Sequence, residues 1–293
     1  MRKQFVRTVE DIMEKDERVV LLLGDIGIYG FRNAFEKFPE RTYNVGICEQ
    51  ATVGMAAGLA KEGFIPILHS ISPFAVERCL EQIKIDLCYQ NLHANIVSVG
   101  ASYDYAALGC THHCPGDVAI LKAVPEMQIA VPGTPEEFDI LFRSVYDNDH
   151  PTYFRLSEKS NVSHRPVTFG KAEPIKTGDK GTVIAVGPML DRVIQATASM
   201  DVTVLYYTTL SPFDSYSLCH NCPSGNIVVV EPFYEGTMAY DIMATMEGYP
   251  IRLLSIGAPR IFLDNYGTVD EHDLELELTW PDIRDRIRRF IHD

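Results

Sequence analysis

Residues 43–60 read YNVGICEQATVGMAAGLA. One carboxylate, Glu49, stands in a run of small and apolar residues. Val45, Gly46, Ile47 and Cys48 lead up to it, and Ala51, Val53, Gly54, Met55, Ala56, Ala57 and Gly58 follow. A helix starting at Glu49 would hold the carboxylate at the positive end of its dipole, half exposed, with no function required. The residues after it admit a second reading. Gly54 and Gly58 lie one turn apart among alanines, so another backbone could approach this helix closely, as a twin helix across an interface would.

Outward from this segment, short β-rich runs alternate with helical patterns. The runs are VVLLLGD (19–25), IPILHSI (65–71), NIVSVG (95–100), MQIAVP (127–132) and TYFRL (152–156). Between them lie AVERCLEQIKIDLCYQN (75–91) and TPEEFDILFRSVYDND (134–149). In the latter, Thr134 can cap a helix, Glu137 stands three residues on, and Phe138, Leu141, Phe142 and Val145 share one face. Nearly all-apolar strands separated by helices predict a parallel sheet covered on both faces. The polar stretch 157–181 reads as a linker. Alternation then resumes with TVIAVG (182–187), VTVLYY (202–207), NIVVVE (226–231) and IRLLSIG (251–257). The closing WPDIRDRIRRFI is an amphipathic helix with Ile283, Ile287 and Phe290 inward. The expected fold is α/β, two doubly wound domains spanning 1–165 and 175–293.

Bulk properties bound the function. At 293 residues the chain can bury a sizeable core, and an apolar content of 46% marks it as globular. A net charge of −14 argues against nucleic acid or an anionic membrane as the main partner. No apolar run approaches a membrane span, and the mixed-charge start is unlike a signal peptide. Seven scattered cysteines fit a reduced cytoplasm better than a disulfide framework. A cytoplasmic location is expected.

Several segments together resemble the transketolase-like thiamine diphosphate enzymes: the C-terminal half of transketolase and of deoxyxylulose phosphate synthase, and the beta subunits of 2-oxoacid dehydrogenases. GICEQATVGMAAGLAKEGFIPI is similar to the pyrimidine-domain segment that carries the cofactor-activating glutamate. PFAVERCLEQIKID resembles the segment after it, and GCTHHCPGDVAILKAVPEMQIAVPGTPEEF the histidine loop with the next strand and helix. YTTLSPFD (207–214) and GAPRIFLDNYGTVDEHDLE (257–275) resemble the transketolase C-terminal domain. The resemblance therefore implies a pyrimidine-binding domain followed by a transketolase C-terminal domain.

It also implies roles. Glu49 would hydrogen-bond N1′ of the aminopyrimidine and favour the 4′-imino tautomer, whose nitrogen takes the thiazolium C2 proton. An apolar surround is expected to raise the Glu49 pKa and help it share that proton. Phe74 falls where the family stacks an aromatic on the pyrimidine, although a Phe after a Pro is also ordinary core. Asp25 falls near the cofactor at the end of the first strand, where a turn aspartate would equally fit. His112 falls where a histidine bonds sugar oxygens. Arg155 falls at a phosphate-binding arginine, against the plainer reading of a surface ion pair. Arg2, 23 residues before Asp25, falls at an Arg-Lys pair with phosphate contacts, against a solvated terminus.

Two departures bear on substrate. Leu108 stands where the family has an aspartate that reads sugar hydroxyls, and Tyr29 stands near the phosphate where the family has a serine. Tyr103, Asp104 and Tyr105 are candidates to read substrate instead. No metal site is expected: His112 and His113 are adjacent and converge poorly on one ion, and CHNC (219–222) is a single CxxC best read as free thiols. The 293 residues contain no Gly-Asp-Gly segment for diphosphate and Mg²⁺. The resemblance then implies a split enzyme. This would be the beta-type chain, an alpha-type chain would hold the diphosphate and Mg²⁺, two of each would assemble as α2β2, and a sugar, phosphorylated or otherwise activated, would be the substrate. The rival readings are a 2-oxoacid decarboxylase or dehydrogenase component and a non-catalytic scaffold or regulatory chain of the same fold.

Overall fold

The computed structural model describes residues 1–292, which form two sheets with helices on their faces. The first half supplies β1 (Val19–Leu23), β2 (Thr42–Asn44), β3 (Ile65–Ile71), β4 (Asn95–Val99), β5 (Gln128–Ala130) and β6 (Thr152–Arg155). The second half supplies β7 (Ala172–Asp179), β8 (Thr182–Val186), β9 (Val202–Tyr207), β10 (Thr209–Ser211), β11 (Asn226–Tyr234) and β12 (Arg252–Ala258). The first sheet has the order β10-β5-β6-β4-β3-β1-β2, and the second β12-β11-β8-β9-β7.

Strands β1 to β6 pair in parallel, so their faces must be covered by helices. Phe5, Val9, Ile12 and Met13 of helix Arg2–Met13 cover one face, beside Phe138, Leu141 and Phe142 of helix Pro135–Val145. Val53, Ala56 and Ala57 of helix Glu49–Lys61 cover the other. Burying each large side chain of this kind contributes about 1.5–3 kcal/mol. The Thr134 hydroxyl accepts from the Glu137 N–H at 3.1 Å, the expected cap. Ile283 and Ile287 of the closing helix are buried, and Phe290 packs against the same core.

Three features depart from expectation. The supposed linker contains β7, which pairs antiparallel with β9 at the edge of the second sheet. Its alternating burial, one face wet, gives it the polar composition of a loop. β10 leaves the second half of the chain and pairs antiparallel with β5 of the first sheet, Thr209 opposite Ala130. The helix expected over 75–91 is broken into π-helical turns at Pro73–Glu77 and Ile83–Cys88 around a short α-turn. Such wide turns are rare and often stand at functional sites. Among the described residues no helix is long and apolar enough to cross a membrane.

From β1 the chain moves outward to β2, then returns to place β3 on the other side of β1. That reversal opens a crevice at the carboxyl ends of β1 and β3, where open α/β sheets take ligands. The segments leaving β1, β2 and β3 carry Asp25, Glu49 and Phe74 into it.

Candidate active site

Glu49 is the first residue of its helix and is 4% exposed. Its Oε2 accepts from Arg78 Nη1 at 2.7 Å, and its Oε1 lies 3.4 Å from the Ser70 hydroxyl at the end of β3. Thr52, Val53, Leu68, Ala75 and Ile96 line the cavity behind it. The expected apolar surround therefore holds on the inner side only, because Arg78 supplies a cation on the outer side. Phe74 lies in the π-helical turn after β3, half-buried, with the Arg78 guanidinium carbon 4.1 Å from its ring centroid.

His112 packs edge-on against Phe74, with ring centroids 5.4 Å apart, and Tyr105 flanks it at 6.3 Å. Its Nδ1 lies 3.0 Å from the Thr111 hydroxyl. The loop that carries it is pinched at its base, where the Cys114 N–H donates to the Ser102 carbonyl at 2.6 Å. Glu49, Phe74 and His112 thus come together from three separate segments.

Asp25 stands at the same edge with φ +66°, a conformation aspartate tolerates in turns. Its N–H donates to Asn44 Oδ1 at 3.0 Å and its side chain is exposed. Tyr29 is 83% exposed, its ring beneath the Arg32 guanidinium. Arg2, Lys3 and Arg7 line a groove with Tyr105, Gly100, Glu136 and Glu158, so Tyr105 joins this groove to His112. Leu108 is 51% exposed on the histidine loop.

Three sequence-predicted substrate residues have internal partners instead. Arg155 is 0% exposed: its Nε donates to Asp117 Oδ2 at 2.8 Å and its Nη2 to the Ser102 hydroxyl at 2.7 Å. It sits on an inner strand, facing Phe233 of the second sheet, so it is not a surface ion pair; its Nη1 has no partner, and it borders a small cavity with Lys159 and Arg192. Tyr103 is buried, its hydroxyl donating to Asp273 Oδ1 at 2.7 Å. Asp104 Oδ2 accepts the N–H groups of Ala101 and Glu158, and burial pushes its carboxyl up to about 7. All three hold the histidine loop against its surroundings. Tyr153 extends the same network, its hydroxyl 2.7 Å from both Asp117 Oδ2 and Ser98 Oγ. Ser72 Oγ donates to Ser98 Oγ at 3.0 Å, two residues before Phe74. One buried chain therefore ties the histidine loop to the Phe74 segment.

Arg78 was not found by sequence reasoning. The signal was present, since it stands four residues after Phe74 in PFAVER, one helical turn away. Among the described residues no three His, Cys, Asp or Glu side chains converge as a metal site requires.

The sequence profile of the transketolase pyrimidine-binding domain matches residues 1–162. The chain belongs to the transketolase family. It is 42% identical over 275 residues to a protein of Rhodococcoides fascians named "Uncharacterized 33.6 kDa protein in fasciation locus", covering 92% of this chain and 88% of that one. It is 28% identical over 271 residues to one of the subunits of the apulose-4-phosphate transketolase of Phocaeicola vulgatus, covering 88% and 87%. In fold it superposes on a solved structure titled "Split gene transketolase, inactive beta4 tetramer", with a TM-score of 0.87 at 23% identity, covering 99% and 97% of the two chains.

Proposed function

We propose that this chain is the beta-type subunit of a two-chain, thiamine diphosphate-dependent transketolase that moves a two-carbon ketol unit between sugars. In this reading 1–165 is the pyrimidine-binding domain and 175–293 the transketolase C-terminal domain. The observation that carries it is the Glu49–Phe74 pair: a buried carboxylate beside an aromatic face, both engaged by one flat N–H-bearing group. The pair suits an aminopyrimidine ring, which offers a flat face to Phe74 and a ring nitrogen to Glu49.

The bound cofactor supplies an acidic C2 carbon and an electron sink for carbon–carbon cleavage. Glu49 holds and moves the proton at the pyrimidine N1′, from a site whose burial strengthens that bond. Phe74 orients the ring by stacking. His112, packed against Phe74, donates or accepts at sugar oxygens, and Thr111 steadies its other nitrogen. Asp25 borders the cofactor and Tyr29 the rim. The Arg2 groove takes an anionic group of the sugar by bidentate bonds. Arg155, Tyr103 and Asp104 hold the loop and leave the substrate to these residues.

We place the diphosphate and Mg²⁺ in an alpha-type partner. The Phocaeicola relative supports this division, since it is nearly matched in length and is itself one subunit of a transketolase. A Cβ at Gly58 of the Glu49 helix would meet nothing of this chain within 4 Å, and one at Gly54 only Asp86 Oδ2 at 3.8 Å, an open stretch that suits a second copy in an α2β2 assembly. The test is turnover. Alone, with thiamine diphosphate and Mg²⁺, the purified chain should transfer no ketol unit; with its alpha-type partner it should. Robust turnover by the isolated chain sinks the two-chain reading, and release of CO₂ from pyruvate by the pair would replace ketol transfer with 2-oxoacid chemistry.

A further inference from the structure

We infer that Arg78 is a built-in stand-in for the cofactor's pyrimidine, occupying the space between Glu49 and Phe74 and leaving when the cofactor enters. The inference rests on the function proposed above. Three observations support it. The guanidinium bonds Glu49 Oε2 at 2.7 Å, and the same group lies over the Phe74 ring at 4.1 Å. A flat heterocycle that stacks on that ring and bonds that carboxylate competes for the same volume. The exposure is graded as a plug requires: the Arg78 side chain is 37% exposed, that of Glu49 6%.

The backbone lets the plug move. The Arg78 N–H is fixed to the Pro73 carbonyl at 3.1 Å at the end of the π-helical turn, so the long side chain can swing while the segment that carries Phe74 stays in place. The exchange also answers an energetic demand. A buried carboxylate without a partner is costly. Arg78 neutralises Glu49 before cofactor arrives, and the pyrimidine takes over the carboxylate afterwards. Cofactor entry is thereby opposed by one partly exposed ion pair and one cation–π contact, and the site stays shut to weak binders.

Calorimetric titration of the full chain tests this, with thiamine diphosphate plus Mg²⁺ and with the fragment 4-amino-5-hydroxymethyl-2-methylpyrimidine as probes. Arg78→Ala should bind the fragment about 3- to 30-fold more tightly than wild type, the scale of the two contacts removed. Arg78→Lys, which keeps charge but loses the flat fork, should fall between, and Glu49→Ala should lose binding. In wild type, the Arg78 Nε resonance should shift when the fragment saturates the site. Fragment binding by Arg78→Ala alone supports the plug most strongly. Equal or weaker binding by Arg78→Ala, or an Arg78 resonance unmoved at saturation, overturns the inference while wild-type binding leaves the site assignment standing. No binding by either chain overturns both.

Discussion

Arg155 Nε donates to Asp117 Oδ2 at 2.8 Å, and neither side chain is exposed. Arg155 also reaches Ser102, where the histidine loop begins, while Asp117 stands three residues past Cys114, where it ends. Removing one member of a fully buried pair leaves the other charge uncompensated. Arg155→Ala should therefore cost about 3–5 kcal/mol of stability. Urea denaturation gives the number directly. The substitution should impair phosphorylated and unphosphorylated substrates alike. A rise in KM confined to the phosphorylated one, with stability unchanged, would restore the phosphate role expected from sequence.

His69 sets an acid limit on the fold. Its Nδ1 lies 2.8 Å from the Val97 carbonyl oxygen, its Nε2 has no partner, and burial lowers its pKa to about 4. Unfolded, the group titrates near 6.5. Between those values the unfolded chain takes up a proton that the folded chain refuses. The His69 contribution to stability is thus intact above pH 6.5 and is lost as pH drops toward 4, by about 3 kcal/mol in all. Asp104, pushed up to about 7, works in the opposite sense over the same range, so the His69 share is read as the difference between the wild-type and His69→Gln denaturation curves from pH 7 to 4. His69→Gln should be less stable at neutral pH, and the gap between the two should close as pH falls. Equal slopes in the two would assign the acid sensitivity elsewhere.

The legible parts of the sequence were those where one physical constraint dominates. β1, β4 and β8 are buried along their whole length, so all their residues but Asn95, whose amide bonds the Tyr146 carbonyl, are apolar or small, and the runs stood out. β7 has a wet face and β10 is three residues long, reached from a distant part of the chain, so neither left a periodic signal. The same division holds at the site. Glu49, Phe74 and His112 were marked by their neighbours. Arg155 and Tyr103 read as substrate residues because a polar residue beside a ligand edge can face outward to substrate or inward to a partner, and both have internal partners. The partners, Asp117 and Asp273, lie 38 and 170 residues away. The one-turn spacing of Arg78 from Phe74 is visible in PFAVER, but no motif records its bond to Glu49, 29 residues away.

Gly109 carries the turn from which His112 hangs, since the His112 N–H donates to its carbonyl at 3.0 Å. Its backbone lies at φ 73° and ψ −167°, a region essentially reserved for glycine. A Cβ there would also stand 2.7 Å from Cε1 of Tyr266. Tyr266 is 70% exposed and can swing aside, so the backbone strain, not the clash, sets the penalty. Gly109→Ala should cost about 1–3 kcal/mol. Thermal unfolding checks the stability. Because the strain falls on the loop, kcat of the assembled enzyme should fall further than the stability loss explains; kcat unchanged in a destabilised variant would mean that His112 keeps its place without this turn.

Glu49→Gln separates holding the pyrimidine from moving its proton. The amide keeps the shape of the carboxylate and stays beside Ser70, but it carries no charge. Two effects then oppose each other at the binding step. The Arg78 ion pair weakens, which eases entry, and the bond to N1′ loses its charge assistance, which disfavours the bound state. Affinity should therefore change modestly and remain measurable. The proton at N1′ has no such compensation, because an amide neither takes nor returns it. In the reconstituted pair, hydrogen–deuterium exchange at the cofactor C2 should slow by at least about a hundredfold, the scale of a lost acid–base group. The two readouts should part: binding close to wild type, exchange far below it. Near-normal exchange would remove Glu49 from proton transfer and leave it only a binding role, while lost affinity with normal exchange in the residual complex would point the same way.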